Sequence, residues 1–335
     1  MRRRTSIWGI SSSPCGKARS PRSPRTGQAS SAFRQIGESG SRESFVNGGG
    51  TTGGSWMDNF SKHIVRFNAF QIKIIALITM TLDHIGAYQT FTFSREINDG
   101  LRVVGRIAAP LFLFMVVEGL RYTRSKPKYI LRLYIAGIVI EMINRILSKA
   151  TGVFEFGNTL PTFFYTALFV FCIEYICNNW RHIKSVCIGV CGLVIPFTFF
   201  ALNVILLEQG YSAAWYFISL FFPSPCNVDY SILFVLLGVA WYFINSKMIN
   251  CAVFAVLSLA CWVIPGSCFF TMQLGWFRPA FFNVFSLFVS TQWCMCLAIP
   301  FMLLYNGEKG RNLKYLFYVY YPIHVYVLFF IQFFR

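Results

Sequence analysis

Charged residues are scarce in this sequence: only 13% of its 335 residues are Asp, Glu, Lys or Arg, against roughly 25% in soluble domains. Apolar runs recur after Met57, and several reach the roughly 20 residues that a helix needs to cross the hydrocarbon core of a bilayer. Residues 248–270 include no charged side chain, and residues 315–334 include one histidine, His324. A soluble fold would require polar faces within these runs. The composition therefore excludes a soluble globular protein and predicts a membrane protein.

The sequence also lacks a Cys-x-x-Cys motif, although it has eleven cysteines. Most of the cysteines lie in or beside the apolar runs, and Cys187 and Cys191 are one helical turn apart. Small apolar side chains within helices explain this distribution better than metal ligands do. We therefore expect no metal site.

Residues 1–56 have almost no aliphatic runs and are rich in Ser, Gly, Pro and Arg. Such a segment cannot bury enough apolar surface to fold, so a disordered basic tail is predicted. No apolar stretch of roughly 7 to 15 residues follows Arg2–Arg4, which argues against a signal peptide. Because residues 53–57 can be encoded by a GGAGG-type ribosome-binding tract just before an ATG codon, one hypothesis is that translation starts at Met57. In either case, the expected membrane domain is 57–335.

The net charge of +17 is unevenly distributed along the chain. Nine basic and two acidic residues fall within residues 1–56, and the later basic residues cluster in short loops between apolar runs. This placement orients membrane helices and attracts anionic lipid headgroups. Membrane lipids are therefore expected partners, and nucleic acid is not.

The apolar runs predict an all-α fold, a polytopic transmembrane helical bundle of about nine or ten spans. The predicted spans are 70–91, 103–120, 129–148, 161–178, 184–207, 230–245, 248–271, 280–305 and 315–334. A tenth segment, 211–223, is short, so it could cross the membrane, re-enter it or lie at the interface. No internal repeat is strong enough to suggest the paired halves of a transporter.

Lysine and arginine residues in the short loops predict the orientation of the helices. Five basic groups fall on one side of the membrane if 211–223 does not cross. They are Lys62 with Arg66, Arg121 to Lys128, Arg181 with Lys184, Lys247, and Lys309 to Lys314. We therefore predict nine crossings of the cell (cytoplasmic) membrane, with the N-terminus in the cytoplasm and the C-terminus outside.

Ionisable residues within spans are costly unless they are paired or hydrated, so each is a candidate functional residue. In the first span, Lys73 and His84 fall within about 20° of each other around a helix axis and ~16 Å apart along it. Lys73, with Arg66 or a nearby basic loop, could hold the phosphates of a cytoplasmic donor, and neutral His84 could act as a general base. The alternative for His84 is a polar core residue whose hydrogen bonds are satisfied.

Asp83 should point about 100° away from His84 on a regular helix. It is therefore not expected to orient His84, and we expect it to pair with a basic residue of another helix. In the second span, Arg102 and Arg106 are one helical turn apart on the same face. Arg102 could extend to the interface, whereas Arg106 should lie below it.

Two further ionisable residues are less specific. Glu118 lies near the cytoplasmic end of the second span and could pair with Lys73, Arg121 or Arg132. His324 follows a proline in the last span, where a kink frees a backbone carbonyl group. A histidine that lines a pore, contacts substrate or only supports the structure would all fit this position.

Several sequence blocks are more specific in combination than any one of them alone. They are Thr81–Gly86, Gly105–Phe114, Val117–Arg124, Asn306–Lys314 and Tyr321–His324. With these blocks in this order, the chain resembles the TraX family of conjugal-transfer membrane proteins over most of 65–334. TraX proteins are similar in turn to a large family of integral-membrane acyltransferases, which carry an arginine eleven positions before a histidine in the first span. Lys73 and His84 occupy those positions here, and lysine keeps the charge but loses bidentate phosphate recognition.

The resemblance implies a multi-pass inner-membrane protein associated with N-terminal acetylation of pilin subunits. It implies acyl transfer from acetyl-CoA, or a similar thioester donor, to an amine or hydroxyl of a pilin or surface glycan. His84 would deprotonate the acceptor, Arg106 would stabilise the developing oxyanion or orient the acceptor, and Asp83 would hold that arginine in place. The candidate substrate-binding residues are Arg102, Glu118 and His324.

Two other classes of function stay open at this point. The same charges could form a proton-coupled or lipid-headgroup pathway, and ionophore-sensitive flux without an acyl product would favour such a transporter. Alternatively, the protein could be a structural partner in pilus or envelope assembly, with charges that only pack helices. Assembly that survives the loss of both His84 and Arg106 would favour this third class.

Overall fold

A computed structural model of the chain describes residues 66–88, 92–152, 157–226, 228–263, 291–311 and 314–334. The predicted tail, the alternative start at Met57, and parts of the predicted spans 248–271 and 280–305 lie outside these ranges. Apart from one isolated β-bridge, the regular structure within the ranges is helical.

The helices follow the predicted spans closely. They are α1 (Ala69–Tyr88), α2 (Arg95–Gly105), α3 (Ala108–Tyr122), α4 (Lys126–Thr151), α5 (Leu160–Asn178), α6 (Ile183–Glu208), α7 (Ser212–Phe221), α8 (Ser231–Phe243), α9 (Lys247–Val263), a 3-10 helix (Thr291–Ala298), α10 (Ile299–Leu303) and α11 (Lys314–Phe333). Within the described ranges, four stretches can cross a membrane by length and composition; they are Ala69–Tyr88, Arg95–Tyr122, Leu160–Asn178 and Ile183–Glu208. The prediction of an all-α helical bundle is confirmed.

Helix α7 corresponds to the segment 211–223, for which the sequence left open whether it crosses the membrane. With 10 residues, it is ~15 Å long, about half the thickness of the hydrocarbon core. It packs against α6 and α4, and the Tyr134 hydroxyl of α4 donates to the Phe221 carbonyl oxygen (2.6 Å). A straight helix of this length is too short to cross the hydrocarbon core.

The second span begins earlier than predicted and contains a break. Its helix starts at Arg95 rather than at residue 103, because polar residues in α2 interrupt the apolar run that marked the span. At Arg106 the backbone forms a tighter turn, and α3 begins at Ala108. Pro110 lacks the N–H that would otherwise bond to the Arg106 carbonyl oxygen, which favours a break at this point.

Helix α3 is the centre of the bundle. Eleven of its 15 residues are buried, and it packs against α1, α5, α8 and the 3-10 helix. Leu111, Leu113, Val117 and Leu120 are at most 1% exposed. Because α3 directly follows the break, its burial fixes the position of Arg106 relative to α1.

The start of α1 is held by a capping box and by the loop before α11. Asn68 Oδ1 accepts a hydrogen bond from the Gln71 N–H (3.0 Å), and Gln71 Oε1 accepts one from the Asn68 N–H (2.9 Å). This arrangement satisfies two N–H groups that have no helical partner. Backbone hydrogen bonds, such as that from the Ala69 N–H to the Glu308 carbonyl oxygen (2.8 Å), join the loop 304–311 to this end of α1. The basic residues of the loop are thereby placed beside the first turns of the helix.

Gly105→Ala should destabilise the protein, because α2 approaches α1 closely at this glycine. A Cβ there would overlap the Asp83 Cβ and lie 2.6 Å from the Asp83 Cα, and overpacking of this kind typically costs about 1–3 kcal/mol. Gly100→Ala, on the same helix, would meet no atom within 4 Å and should be neutral or slightly stabilising. Thermal unfolding of both variants in detergent tests this expectation, and equal midpoints would contradict it.

Candidate functional site

A large cavity lies within the helical bundle. Its volume is about 2160 Å³, whereas sites for single small molecules usually measure about 300–1,000 Å³. Most of the residues singled out from the sequence line it, namely Lys73, Asp83, His84, Arg102, Arg106 and Glu118. The cavity is therefore large enough for two reactants, and it contains both ends of the polar stripe on α1.

Asp83 joins α1 to α2 through two arginines. Its Oδ2 accepts from Arg102 Nη1 (2.9 Å), and its Oδ1 accepts from Arg106 Nη2 (2.9 Å). The Arg106 side chain is 7% exposed and that of Asp83 is 14% exposed. The expectation that Asp83 pairs with a basic residue of another helix is confirmed. Two guanidinium groups and one carboxylate leave a net positive charge beside His84.

His84 lies within hydrogen-bonding distance of a second histidine. His84 Nδ1 on α1 and His324 Nε2 on α11 are 2.9 Å apart. A hydrogen bond between the hydroxyls of Thr81 and Tyr320 (3.0 Å) also joins these two helices. His324 is buried and is not among the residues that line the cavity. The structure therefore places His324 behind His84, rather than at the substrate-binding position expected from the sequence.

The hydrogen bonds around the two rings select one tautomer of each histidine. His324 Nδ1 lies 2.9 Å from the Tyr320 carbonyl oxygen, which can only accept, so this nitrogen carries the proton. His324 Nε2 is then an acceptor, and His84 Nδ1 donates to it. This leaves the Nε2 lone pair of neutral His84 available. Because His84 lines the cavity, this nitrogen is the candidate proton acceptor.

A group of cations lines the cavity near the start of α1. It consists of Lys73, Lys309 and Arg311, and the loop that carries the last two is bonded to α1. Lys73 Nζ also lies 5.8 Å from the ring centroid of Phe317 on α11. Cations in this arrangement suit the phosphates of an anionic ligand. Sequence reasoning used Lys309 and Arg311 only to orient the helices, since nothing local indicated that their loop returns to α1.

Arg66 does not take part in this group of cations. It is exposed and is not among the residues that line the cavity. Phe67 forms the bridge with Tyr305 and packs against the core, and successive side chains of an extended segment point to opposite sides. Of the two partners that the sequence suggested for Lys73, the structure thus places the basic loop, and not Arg66, at the cavity.

Glu118 is held in a structural ion pair. Its Oε1 accepts from Arg121 Nη1 (2.9 Å), and Arg121 Nη2 donates to the carbonyl oxygens of Trp241 (2.7 Å) and Tyr242 (3.1 Å). The arginine thus caps the C-terminus of α8, where carbonyl groups lack helical partners. Of the partners considered from the sequence, Arg121 is the one observed. The Glu118 carboxylate, expected to bind substrate, supports this cap.

A polar cluster that sequence reasoning missed lines another part of the cavity. It contains Asp229 before α8, Thr159 before α5, and Tyr321 of α11. Thr159 Oγ1 donates to Asp229 Oδ2 (3.2 Å), and the Thr159 N–H donates to the Tyr321 hydroxyl oxygen (3.0 Å). The sequence feature that could have indicated this cluster is the acidic residue directly before the predicted span 230–245.

The Asp229 carboxyl group is buried without a cation. Burial raises its pKa to about 6, and the hydrogen bond from Thr159 opposes that rise. Within the described ranges, the ion pairs of the cavity involve Asp83 and Glu118 but not Asp229. No group of three or more His, Cys, Asp or Glu side chains in those ranges is arranged to hold a metal ion. Asp229 is therefore ionised at neutral pH, and in the described structure its charge has no basic partner.

Comparison with known proteins identifies related sequences. The family model for "TraX protein" matches residues 69–332. The chain is 39% identical over 77 residues to "Probable fimbrial assembly protein FimC, serogroup H1" of Dichelobacter nodosus, a match to 23% of this chain and 31% of that protein.

A second relative is "Uncharacterized protein RP591" of Rickettsia prowazekii (strain Madrid E). It is 32% identical over 108 residues, which cover 28% of this chain and 40% of that protein. The chain thus spans less than half the length of either curated relative. No solved structure matches the chain.

Proposed function

This chain belongs to the TraX family, and from that membership and the geometry of the cavity we propose that it is a membrane acyltransferase. The proposed reaction moves an acetyl group from acetyl-CoA to an amine or hydroxyl of a pilin or surface glycan. The observation that carries the proposal is the contact of His84 with His324, which leaves a proton-accepting nitrogen at a cavity large enough for two reactants.

The donor is proposed to bind with its phosphates at Lys73, Lys309 and Arg311. These cations line one part of the cavity, and charge-assisted hydrogen bonds to phosphate oxygens are the strongest that such side chains make. His84 lies ~16 Å further along α1, by the rise of an α-helix. This separation leaves room for an extended thioester arm between the phosphates and the reacting carbonyl group.

The transfer step needs one base and a positive environment. The acceptor lone pair attacks the thioester carbonyl carbon, a new C–N or C–O bond forms, and the acceptor proton passes to His84 Nε2. The C–S bond then breaks, and His84 returns the proton to the departing thiolate, which gives acetylated acceptor and CoA. Arg106 and Arg102, held by Asp83, supply positive charge that stabilises the oxyanion formed during the attack.

Lys73→Met should weaken donor binding without stopping chemistry. Methionine keeps the length and apolar stem of lysine but loses its charge, so the KM for acetyl-CoA should rise about tenfold or more, with little change in kcat. Arg66→Ala is the matched control, because Arg66 is exposed and does not line the cavity. Steady-state kinetics would measure both constants. An unchanged KM in Lys73→Met would show that Lys73 does not bind the donor.

The direct test of the function uses the full chain purified in lipid nanodiscs. Labelled acetyl-CoA is offered together with pilin peptides and surface oligosaccharides, and labelled products are identified by mass spectrometry. Mass spectra of surface pilins and glycans, with and without this protein in the cell, provide the corresponding test in vivo. Absence of any acetylated product in both experiments would overturn the proposal.

A role in pilus assembly is the second candidate function. It is favoured by the name of the Dichelobacter nodosus relative, which describes that protein as a probable fimbrial assembly protein. In this case the buried charges would only pack helices. Normal pilus assembly with His84→Gln and no acetylated product in the wild type would favour assembly over acyl transfer.

The proposed location is the cytoplasmic membrane, with the N-terminus in the cytoplasm. Basic loops, including that with Lys309 and Arg311, would then face the cytoplasm, as expected for short loops. The cation group would meet a cytoplasmic donor, and Asp229 would lie toward the outer side. Alkaline phosphatase fused after Arg335 should be active under this topology, and an inactive, stable fusion would contradict it.

A further inference from the structure

Asp229 differs from the other carboxyl groups of the cavity. Among the residues that the structure describes, four carboxyl groups line it, from Asp83, Glu118, Glu208 and Asp229. Asp83 and Glu118 each hold arginine, and Glu208 is exposed at the end of α6. Among the described residues, Asp229 is therefore the sheltered carboxylate of the cavity that lacks a cation.

We propose that Asp229 is the binding site for a protonated primary amine on the acceptor. This inference rests on the proposed function and makes Asp229 the residue that selects an amine over a hydroxyl. The Thr159 hydroxyl and the backbone of Asn158 hold the carboxylate by hydrogen bonds, and Tyr321 in turn accepts a hydrogen bond from the Thr159 N–H. Gly157 also lines the cavity, and a Cβ there would lie 3.3 Å from Asp229 Oδ2. A glycine at this position thus leaves one side of the carboxylate open to a ligand.

A buried carboxylate gains much more from a cation than from a neutral hydroxyl. Hydrogen bonds in which both groups are charged are shorter and stronger than neutral ones, and a desolvated charge without a partner is costly. An ammonium group offers both a charge and several N–H donors, whereas a sugar hydroxyl offers one neutral donor. The chemistry of this site therefore favours an amine.

Asp229 and His84 lie in the same region of the cavity. The ring of Tyr321, which contacts Thr159, has its centroid 6.3 Å from that of His324, and His324 contacts His84. Tyr230, next to Asp229, is close enough to Asp83 for an electrostatic interaction. An ammonium group bound by Asp229 can thus release one proton to water by way of His84 Nε2 and attack as the neutral amine. The proton that the nitrogen loses during the attack then passes to the same His84 nitrogen, which returns it to the departing thiolate. The acetylated product is uncharged, so Asp229 no longer attracts it, which favours release.

The pH dependence of amine binding follows from the carboxyl group. Because burial raises the pKa of Asp229 to about 6, the carboxylate is present above that pH and is protonated below it. Thr159 and Tyr321 donate or accept hydrogen bonds but stay neutral near this pH, Tyr230 also stays neutral, and Glu141 of α4 adds a repulsive negative charge. Affinity for an ammonium probe should therefore fall as the pH decreases from about 7.5 to about 5.

The test compares two probes on the full chain in nanodiscs. One is a short apolar peptide with a free amino terminus, and the other is the same peptide with the terminal amine replaced by a hydroxyl. The wild type should bind the amine peptide about 10- to 100-fold more tightly, as expected for a charge-assisted contact. Asp229→Asn should bind both peptides equally and should lose acetyl transfer to the amine peptide. Glu208→Gln, the same acid-to-amide change at an exposed lining residue, should behave as the wild type.

The outcomes separate this inference from the proposed function. Acetyl transfer that is as fast in Asp229→Asn as in the wild type would overturn the amine site and leave the acyltransferase standing. Preference for the amine peptide, with no acetylated product either in nanodiscs or on surface pilins and glycans in the cell, would support the amine site and overturn the acyltransferase. If Asp229→Asn does not fold, the affinities of the wild type for the two peptides still test the inference. Equal affinities would overturn the amine site.

Discussion

Replacement of His84 with glutamine is expected to abolish detectable acetyl transfer while the protein still folds. Glutamine is polar and of similar length, but it cannot take up and release a proton near neutral pH. General acid–base catalysis typically contributes about 10²- to 10⁴-fold to a rate, so product formation should fall by at least ~100-fold. Initial rates with labelled acetyl-CoA measure the loss, and thermal unfolding close to that of the wild type shows that the variant is folded.

His182→Gln is the matched control, because His182 is exposed at the start of α6 and should not affect the rate.

Changes at His324 test, in the same assay, whether His324 fixes the tautomer of His84. His324→Leu removes the acceptor for His84 Nδ1–H and should lower kcat on the order of 100-fold, by analogy with triads in which the orienting group is lost. His324→Gln offers a carbonyl oxygen in its place and should recover much of that rate. Full activity of His84→Gln would rule out His84 as the base.

Most of the helices could be predicted from the sequence because lipid imposes a strong local rule. A spanning segment must satisfy its own backbone hydrogen bonds and must be apolar over about 20 residues, and the runs at α1, α5 and α6 meet both conditions. The rule fails where a helix carries polar residues that contact other helices. Helix α2 is such a case, since Asn98 is buried and Arg102 reaches Asp83, so the apolar run began too late to mark its start.

From the sequence, only the part of the candidate site that lies on a single helix could be predicted. The periodicity of α1 placed Lys73 and His84 on one face, and both line the cavity. The partner of His84 is 240 positions away in sequence, and the loop with Lys309 reaches α1 through backbone hydrogen bonds. Neither contact leaves a local pattern, because each arises from the packing of α11 against α1. Asp229 was missed for a similar reason, because its contact with Thr159 joins positions 70 residues apart in sequence.

Asp83→Asn is expected to destabilise the protein strongly as well as to inactivate it. The substitution leaves the guanidinium of Arg106, only 7% exposed, without its carboxylate, and breaking a buried pair in this way typically costs about 3–5 kcal/mol. It also frees both arginines to move, so the positive charge beside His84 loses its fixed position. The midpoint of thermal unfolding in detergent and the rate of acetyl transfer measure the two effects. Asp99→Asn, the same change at an exposed position of α2, should alter neither.

Asp83 pairs with two arginines, whereas Arg106 pairs with Asp83 alone among the described carboxylates, so the two single substitutions should differ in their effect on stability. Arg106→Gln leaves Asp83 bound to Arg102, so this variant should be more stable than Asp83→Asn although it lacks the same ion pair. The double variant Asp83→Asn with Arg106→Gln removes the stranded charge and should regain much of the lost stability. It should stay inactive, because Arg106 is lost and Arg102 no longer has the carboxylate that fixes its position. If Asp83→Asn unfolds at the same temperature as Asp99→Asn, then Asp83 does not hold Arg106 in the folded protein, and the positive charge beside His84 must be positioned by other contacts.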